Sequence, residues 1–353
     1  GLNVDGSGSH STIFGIGIYD QPEYTFVGGE ISGDGNYIVG TDSVAVYLLE
    51  DSKYSYVSGN FIGQNPTGGD VSTGEIGVMV RNSDLNWIGG LSASWGNQIG
   101  NCNTGIAVRS GSQTNAIMGN EIYNITNQAI DIDDDDAPLA IDGATNPSGN
   151  NIELDQPQID LVFPCEQAGT TNLTMITTLP PLTSGDQYRF EFFVNDTESG
   201  DAESFLEAHT VFYSPATIPD TTFIPGLPSD LIDKEITITA TETFSGGGYG
   251  NTTELSAGMR VQGPPAIDIQ TTDVSCDGNS DGSILVSIPG YDFLSELNTE
   301  GQTEVSEDTI YLVPLGNHEV KIDFSNGCSY SIPVEIDTAD MSGLVAIDDI
   351  EVC

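Results

Sequence analysis

A short pattern returns along the first part of the chain at nearly constant spacing. Gly28-Gly29-Glu30, Ser58-Gly59-Asn60, Gly89-Gly90-Leu91 and Met118-Gly119-Asn120 begin 30, 31 and 29 residues apart. A period in that range belongs to stacked supersecondary units, each too small to bury its own apolar face. Short apolar alternations precede the last three echoes: Tyr54-Ser55-Tyr56-Val57, Leu85-Asn86-Trp87-Ile88 and Asn115-Ala116-Ile117. A second set lies elsewhere in each repeat: Val44-Ala45-Val46, Gly77-Val78-Met79-Val80 and Gly105-Ile106-Ala107-Val108. The opening Gly1-Leu2-Asn3-Val4 and Ile13 echo the same pattern. Alternation at period two places one set of side chains inward on a strand. Gly and Asn between the strands supply turns with positive φ. The spacing predicts a right-handed parallel β-helix over residues 1–151. A propeller needs about 40 residues per repeat and a leucine-rich repeat needs Leu-x-x-Leu-x-Leu, and the sequence has neither pattern.

Charge narrows the function classes. Seven Lys and Arg stand against 53 Asp and Glu among 353 residues, for a formal net charge of −46. Nucleic acid is excluded as a partner, because phosphate binding needs a basic patch. An anionic membrane surface is disfavoured on the same ground. Self-repulsion on this scale calls for salt or divalent cations, so an extracellular, saline, calcium-containing setting is expected. No apolar run is long enough for a spanning helix, so no membrane insertion is expected. No signal peptide is visible. Both ends read as cut from a longer chain, so further domains of that chain are expected partners.

The repeats end at Ala129-Ile130-Asp131-Ile132, followed by Asp133, Asp134, Asp135 and Asp136. With Asp131, that acidic run is a candidate calcium site, since hard cations want several carboxylate oxygens. It lacks the glycine and closing glutamate of an EF-hand, and a solvated cap that blocks edge pairing explains it equally well. Residues 152–262 carry strand-like segments at Asn172–Thr177, Tyr188–Val194, Glu207–Tyr213 and Glu235–Thr241, separated by turn signals. They predict an antiparallel β-sandwich. A second β-sandwich, the third unit of the chain, is expected over 263–337, after Gly263-Pro264-Pro265, and 338–353 reads as the start of a further repeat. The expected fold class is all-β throughout. Cys276 and Cys328 flank one segment and are a candidate disulfide. Cys102, Cys165 and Cys353 have no evident partner in the sequence.

Three stretches resemble known families. Tyr188–Asn195 (YRFEFFVN), Ile236–Thr243 (ITITATET) and Gly250–Ser256 (GNTTELS) are similar to an immunoglobulin-like module that often follows parallel β-helix repeats in bacterial surface proteins. Thr272–Ile284, Gly316–Val320 and Asn326-Gly327-Cys328 resemble the SprB-type repeat of gliding adhesins, without its usual Tyr-x-Trp centre. Ile347–Cys353 resembles the opening of another. The likeness implies a secreted, multidomain cell-surface adhesin. Asp277, Asn279 and Asp281 alternate like part of a calcium loop but read as turn residues. Bacteria with type IX secretion and gliding motility attach O-glycans at Asp-Ser/Thr motifs, which makes Ser43, Thr221, Thr309 and Thr338 candidate acceptors. Asn124, Asn172, Asn195 and Asn251 head N-x-S/T triplets, which matter only in a eukaryotic producer.

Many parallel β-helices cleave polysaccharides, so catalysis needs weighing. Within the repeats the cations are Lys53, Arg81 and Arg109. Arg81 and Arg109 follow equivalent strands and are expected to stack on one flank, as a lyase's electrophile or as corner residues paired with acids. The many carboxylates make a two-acid glycosidase criterion uninformative. His10, His209 and His318 fall in three different units, which disfavours a His-based triad. Tyr54, Tyr56, Trp87 and Trp95 are a candidate aromatic platform for sugar rings, with Tyr56 and Trp87 at equivalent positions facing outward. The expected function is a non-catalytic structural and adhesive segment contacting an extracellular surface or polysaccharide. The alternatives are a polysaccharide lyase or hydrolase on the Arg81–Arg109 flank, and a calcium-dependent carbohydrate-binding module.

Overall fold

A computed structural model describes residues 12–31, 33–92, 94–132, 149–167, 170–178, 187–196, 199–212, 220–225, 231–244, 246–261, 266–275, 280–288, 294–299, 305–306, 309–324 and 329–339. The protein is all-β. Among the described residues the one helical element is a 3-10 turn, Asn150–Glu153. The chain divides into two compact units. The first holds residues 1–162, 175–222 and 229–261, and the second holds 163–174, 223–228 and 262–353.

The first unit opens with strands β1 (Thr12–Ile18), β2 (Phe26–Gly28), β3 (Tyr37–Ile38), β4 (Thr41–Leu49), β5 (Tyr56–Ser58) and β6 (Phe61–Ile62). There follow β7 (Ile76–Arg81), β8 (Trp87–Gly89), β9 (Gln98–Arg109), β10 (Ala116–Met118) and β11 (Glu121–Asp131). All pair in parallel. One sheet has the order β1-β4-β7-β9-β6-β3 with β11 added on β9, and the other has β10-β8-β5-β2. The sequence period is therefore the stacking offset. Val46, Val78, Ile106 and Ile130 lie in register, as do Val27, Val57, Ile88 and Ile117. Ile38, Ile62, Ile99 and Ile122 form a third apolar column. All three columns are buried in one continuous cluster. Each such side chain contributes about 1.5–3 kcal/mol through burial, which no single repeat collects alone.

Between the apolar columns run two columns of asparagine. Asn60 donates its side-chain amide to Asn97 Oδ1 at 2.9 Å, and Asn97 donates to Asn120 Oδ1 at 2.8 Å. The backbone N–H groups of Asn60 and Asn97 reach the same two oxygens at 3.1 and 3.0 Å. The second column runs from Asn86 through Asn115 to Asn151. Of these residues, Asn60, Asn86, Asn97, Asn115 and Asn151 are fully buried. Buried amides are tolerated because each is satisfied by the next layer.

The corners are equally regular. Tyr24, Tyr54, Leu85 and Thr114 all take left-handed φ values, 57°, 54°, 61° and 58°. Such a conformation costs a non-glycine residue about 1–2 kcal/mol. It persists because the N–H groups of Tyr24, Tyr54 and Leu85 each bond a carbonyl of the next repeat at 3.1 Å. Where layers approach closest only glycine fits: a Cβ on Gly96 would lie 1.6 Å from the carbonyl oxygen of Gly119.

The same unit contains an antiparallel sheet with the order Ser204–Phe212, Gln187–Asn195, Glu235–Thr243, Tyr249–Thr252, and Met259–Arg260 also pairs with Glu235–Thr243. Glu235–Thr243 is buried at every position. The face that carries Thr237, Thr239 and Thr241 is shared with their cross-strand neighbours Phe193, Glu191 and Arg189, and the parallel stack covers it, with Glu191 accepting from the Gly119 N–H. Phe193, Ala202 and Leu255 join the apolar cluster of the parallel stack. A further three-stranded sheet, of Gln158–Gln167, Thr170–Thr178 and Asp220–Pro225, draws its residues from both units.

The second unit has two antiparallel sheets. One orders Asp268–Thr272, Gly282–Ser287, Thr309–Val313 and Val305–Ser306, and the other Leu294–Thr299, Gly316–Phe324 and Ser329–Ile336. Among its described residues, Val274, Ile284, Val286, Ile310, Val313, Val320, Ile322 and Ile336 are apolar and buried. The candidate disulfide partners Cys276 and Cys328, together with Asp277 and Asn279, lie outside the described residues.

Candidate functional site

Register brings the aromatic residues of successive repeats into columns. Phe26, Tyr56 and Trp87 are mutually paired positions of β2, β5 and β8. The rings of Phe26 and Tyr56 stack with centroids 5.1 Å apart and planes within 7°. Tyr56 meets Trp87 at 5.4 Å and 58°, and Trp87 meets the edge of Tyr249 at 5.4 Å. Tyr24 stacks on Tyr54 at 5.2 Å, and Tyr37 on Phe61 at 4.6 Å. Tyr56 thus has a neighbouring ring on each side, and both Tyr56 and Trp87 are half-buried. The rings that keep most of their surface open are those of the first repeat: Phe26 is 69 % exposed and Tyr24 62 %. The sequence reading of Tyr56 and Trp87 named the column but not its open end. The signal was present, since Phe26 precedes Tyr56 by the repeat period. Trp95 stands apart from the column. It packs beside Gly90, where an added Cβ would sit 2.6 Å from Trp95 Cβ.

Arg81 and Arg109 are paired positions of β7 and β9, as expected. Arg81 donates from Nε to Ser110 Oγ at 3.1 Å. Arg109 forms an ion pair with Asp131, whose side chain is fully buried, and also donates to the Asp131 carbonyl at 3.2 Å. Asp131 therefore faces a guanidinium. Asp133, Asp134, Asp135 and Asp136 lie outside the described residues. Among those described, no three His, Cys, Asp or Glu side chains group as a metal site. Glu23, Lys53 and Asp84 stack through isolated bridges, so the remaining repeat cation sits between two acids along the stacking direction.

Two carboxylates of the antiparallel sheet have strongly shifted protonation. Burial pushes Glu191 above the usual carboxylate range, against the pull of Arg189 and of the Gly119 N–H. Asp201 is pushed up to about 6, chiefly by burial and also by the charges of Glu203 and Glu235. Cys102 is buried, and burial pushes its thiol up to about 11. That makes it an inert core residue rather than a nucleophile. His209 packs edge-on against Phe192 at 5.7 Å, and His318 lies 2.7 Å from the Pro314 carbonyl through Nε2. His10 lies outside the described residues. Asp281 accepts from the Ser275 N–H at 3.0 Å and from its hydroxyl at 2.6 Å, a turn arrangement.

Of the candidate glycan acceptors, Thr338 is exposed, while Ser43 and Thr309 are half-buried. Thr221 lies on the strand Asp220–Pro225. Among the described residues no helix is long and apolar enough to cross a membrane. No family model matches the chain, and no curated protein matches it.

Proposed function

We propose that this chain is a non-catalytic, structural and adhesive segment of a large secreted protein of the bacterial cell surface. In this reading the parallel repeats form a right-handed parallel β-helix, and the antiparallel sheets belong to an immunoglobulin-like sandwich and a SprB-like β-domain. The observation that carries it is the layer-to-layer register of the repeats. Apolar, asparagine and aromatic positions each stack on their own kind from layer to layer. Such ladders give stiffness along the stacking direction, as a spacer or filament requires. The Arg109–Asp131 ion pair also supports it, since a guanidinium held by a buried acid is poorly placed to take a substrate carboxylate.

A second reading, contact with polysaccharide, is favoured by the open rings of Tyr24 and Phe26. Aromatic faces stack on the apolar faces of sugar rings, and an acidic protein of this kind suits neutral or amine-bearing polymers over uronates. One experiment addresses both readings. The purified chain is incubated with alginate, pectin, cellulose and chitosan, and released ends and bound protein are measured. No polymer is expected to be cleaved, and any retention is expected to fall in Tyr24→Ala/Phe26→Ala. Cleavage that disappears in a folded Arg81→Ala variant would replace the adhesive reading with a catalytic one.

A further inference from the structure

The last repeat meets the antiparallel sheet through hydrogen bonds that, in earlier repeats, run to the next repeat. Gly29, Gly59, Gly90 and Gly119 occupy the same place in four successive repeats. The N–H groups of Gly29, Gly59 and Gly90 bond backbone carbonyls of the following layer, those of Ser58, Trp95 and Met118. Among the described residues no parallel strand follows β10 in its sheet. The Gly119 N–H reaches Glu191 Oε2 at 2.6 Å. The same substitution recurs at the corner. Tyr24, Tyr54 and Leu85 donate to the carbonyls of Lys53, Leu85 and Gln113, whereas Thr114 donates to the side chain of Asn251 at 2.7 Å. Ile117 donates to Thr252 Oγ1 at 2.8 Å and Ile132 to Glu254 Oε1 at 3.1 Å. Ile122 and Ala202 exchange a pair of backbone bonds at 2.7 and 3.0 Å. The asparagine column ends likewise: Asn115 donates to Asn151 Oδ1, and Asn151 donates to the Thr252 carbonyl.

We propose that the antiparallel sheet is a dedicated end cap that takes the place of a further repeat, with the segment Gly250–Ser256 as its main contact, and that it thereby denies this end of the stack to a second copy of the chain. An uncovered parallel layer is a template for strand addition. Here donors of Thr114, Ile117, Gly119 and Ile132 are met by side-chain oxygens of Asn251, Thr252, Glu191 and Glu254, and Ile122 meets Ala202 in an antiparallel bridge. The cap continues the hydrogen bonding of the stack but offers no parallel strand for it to grow on. This gives a role to Asn251, Thr252 and Glu254 that does not depend on whether the protein is an adhesin.

Amide hydrogen exchange and sedimentation test the proposal on the whole chain. Thr252→Val keeps the shape and removes the oxygen, and Thr252→Ser keeps the oxygen. In Thr252→Val the Ile117 amide is expected to exchange about tenfold faster or more, a change of about 1.4 kcal/mol. The amides of Gly29 and Gly59 are expected to stay as protected as before, and Thr252→Ser to stay close to the parent. Asn251→Ala is expected to release the Thr114 amide in the same selective way. Combined, Asn251→Ala/Thr252→Val is expected to self-associate with rising concentration where the parent does not. Unchanged protection at Ile117 and Thr114, or equal loss at Gly29 and Gly59, overturns the cap. A double variant that opens these amides yet sediments like the parent at every concentration overturns the denial of that end to a second copy.

Discussion

Asp201 shows how a single residue in this acidic protein departs from the usual rule for carboxylates. It is buried, 4 % exposed, and its Oδ2 accepts from the Ile125 N–H at a long 3.4 Å. Burial and the neighbouring charges of Glu203 and Glu235 hold its pKa at about 6, against an ordinary value of 3.8. A carboxyl raised on folding binds its proton more tightly in the folded state. Its contribution to stability is therefore fully present below 3.8 and is lost as pH rises through about 6. Glu191 is shifted in the same direction. Acidification from pH 7 towards about 4.5 should thus strengthen the fold at these two positions, whereas paired carboxylates elsewhere weaken on acidification. Asp201→Asn keeps an oxygen for Ile125 and abolishes the charge. It is expected to unfold at higher urea than the parent at pH 7, by about 2 kcal/mol, and to lose that advantage by pH 4.5. A variant no more stable than the parent at pH 7, or equally advantaged at both pH values, would refute the assignment.

At the scale of elements, apolar columns and asparagine columns share the work of holding layers together. Asn97 sits mid-column: it accepts from the Asn60 N–H and side-chain amide, and donates to Asn120 Oδ1 and to the Val57 carbonyl. Asn97→Ala would leave the two Asn60 donors and the Val57 carbonyl in a dry interior without that partner. Each such buried group costs about 1–3 kcal/mol, so a loss of about 3 kcal/mol or more is expected in urea unfolding. Asn36 is exposed and donates its side-chain amide to Asn60 Oδ1 at 2.9 Å, and Asn36→Ala should cost less than about 1 kcal/mol. Similar small losses at both positions would show that the column is ornamental. The apolar columns were legible from sequence because Val46, Val78 and Ile106 recur with period-two neighbours. The asparagines Asn60, Asn97 and Asn120 stack in the structure but lie 37 and 23 residues apart, and Asn is ordinarily a turn residue, so nothing in the sequence says that they point inward. The strand Gln98–Arg109 was legible only at Gly105–Val108, because it runs on through Asn101, at φ 57°, where sequence signals a turn. The junction with the antiparallel sheet was not legible at all. Gly119 and Glu191 are 72 residues apart and Ile117 and Thr252 are 135 apart, and no local pattern joins them.

For the whole molecule the decisive quantity is charge. The chain carries −46 with 7 cations in all. Several of those cations are already committed locally, Arg109 to Asp131, Arg189 to Glu191 and Lys234 to Asp196. These pairs satisfy individual acids and do little for the long-range field, which opposes compactness wherever acids outnumber cations. The field acts over the Debye length, about 30 Å at 0.01 M salt and about 4–5 Å at 0.5 M. Raising sodium chloride over that range should therefore raise the melting temperature by several degrees, with most of the gain below about 0.2 M, where the screening length falls through the spacing of surface charges. Such a profile belongs to a protein working in saline surroundings, in keeping with the surface reading. The same titration separates screening from occupancy. At matched ionic strength, calcium that raises the melting temperature well beyond sodium reports bound ions, and calcium that follows sodium reports screening alone. A melting temperature that stays flat or falls as sodium chloride rises would mean that local ion pairs, and not the overall excess of acids, set the stability of this chain.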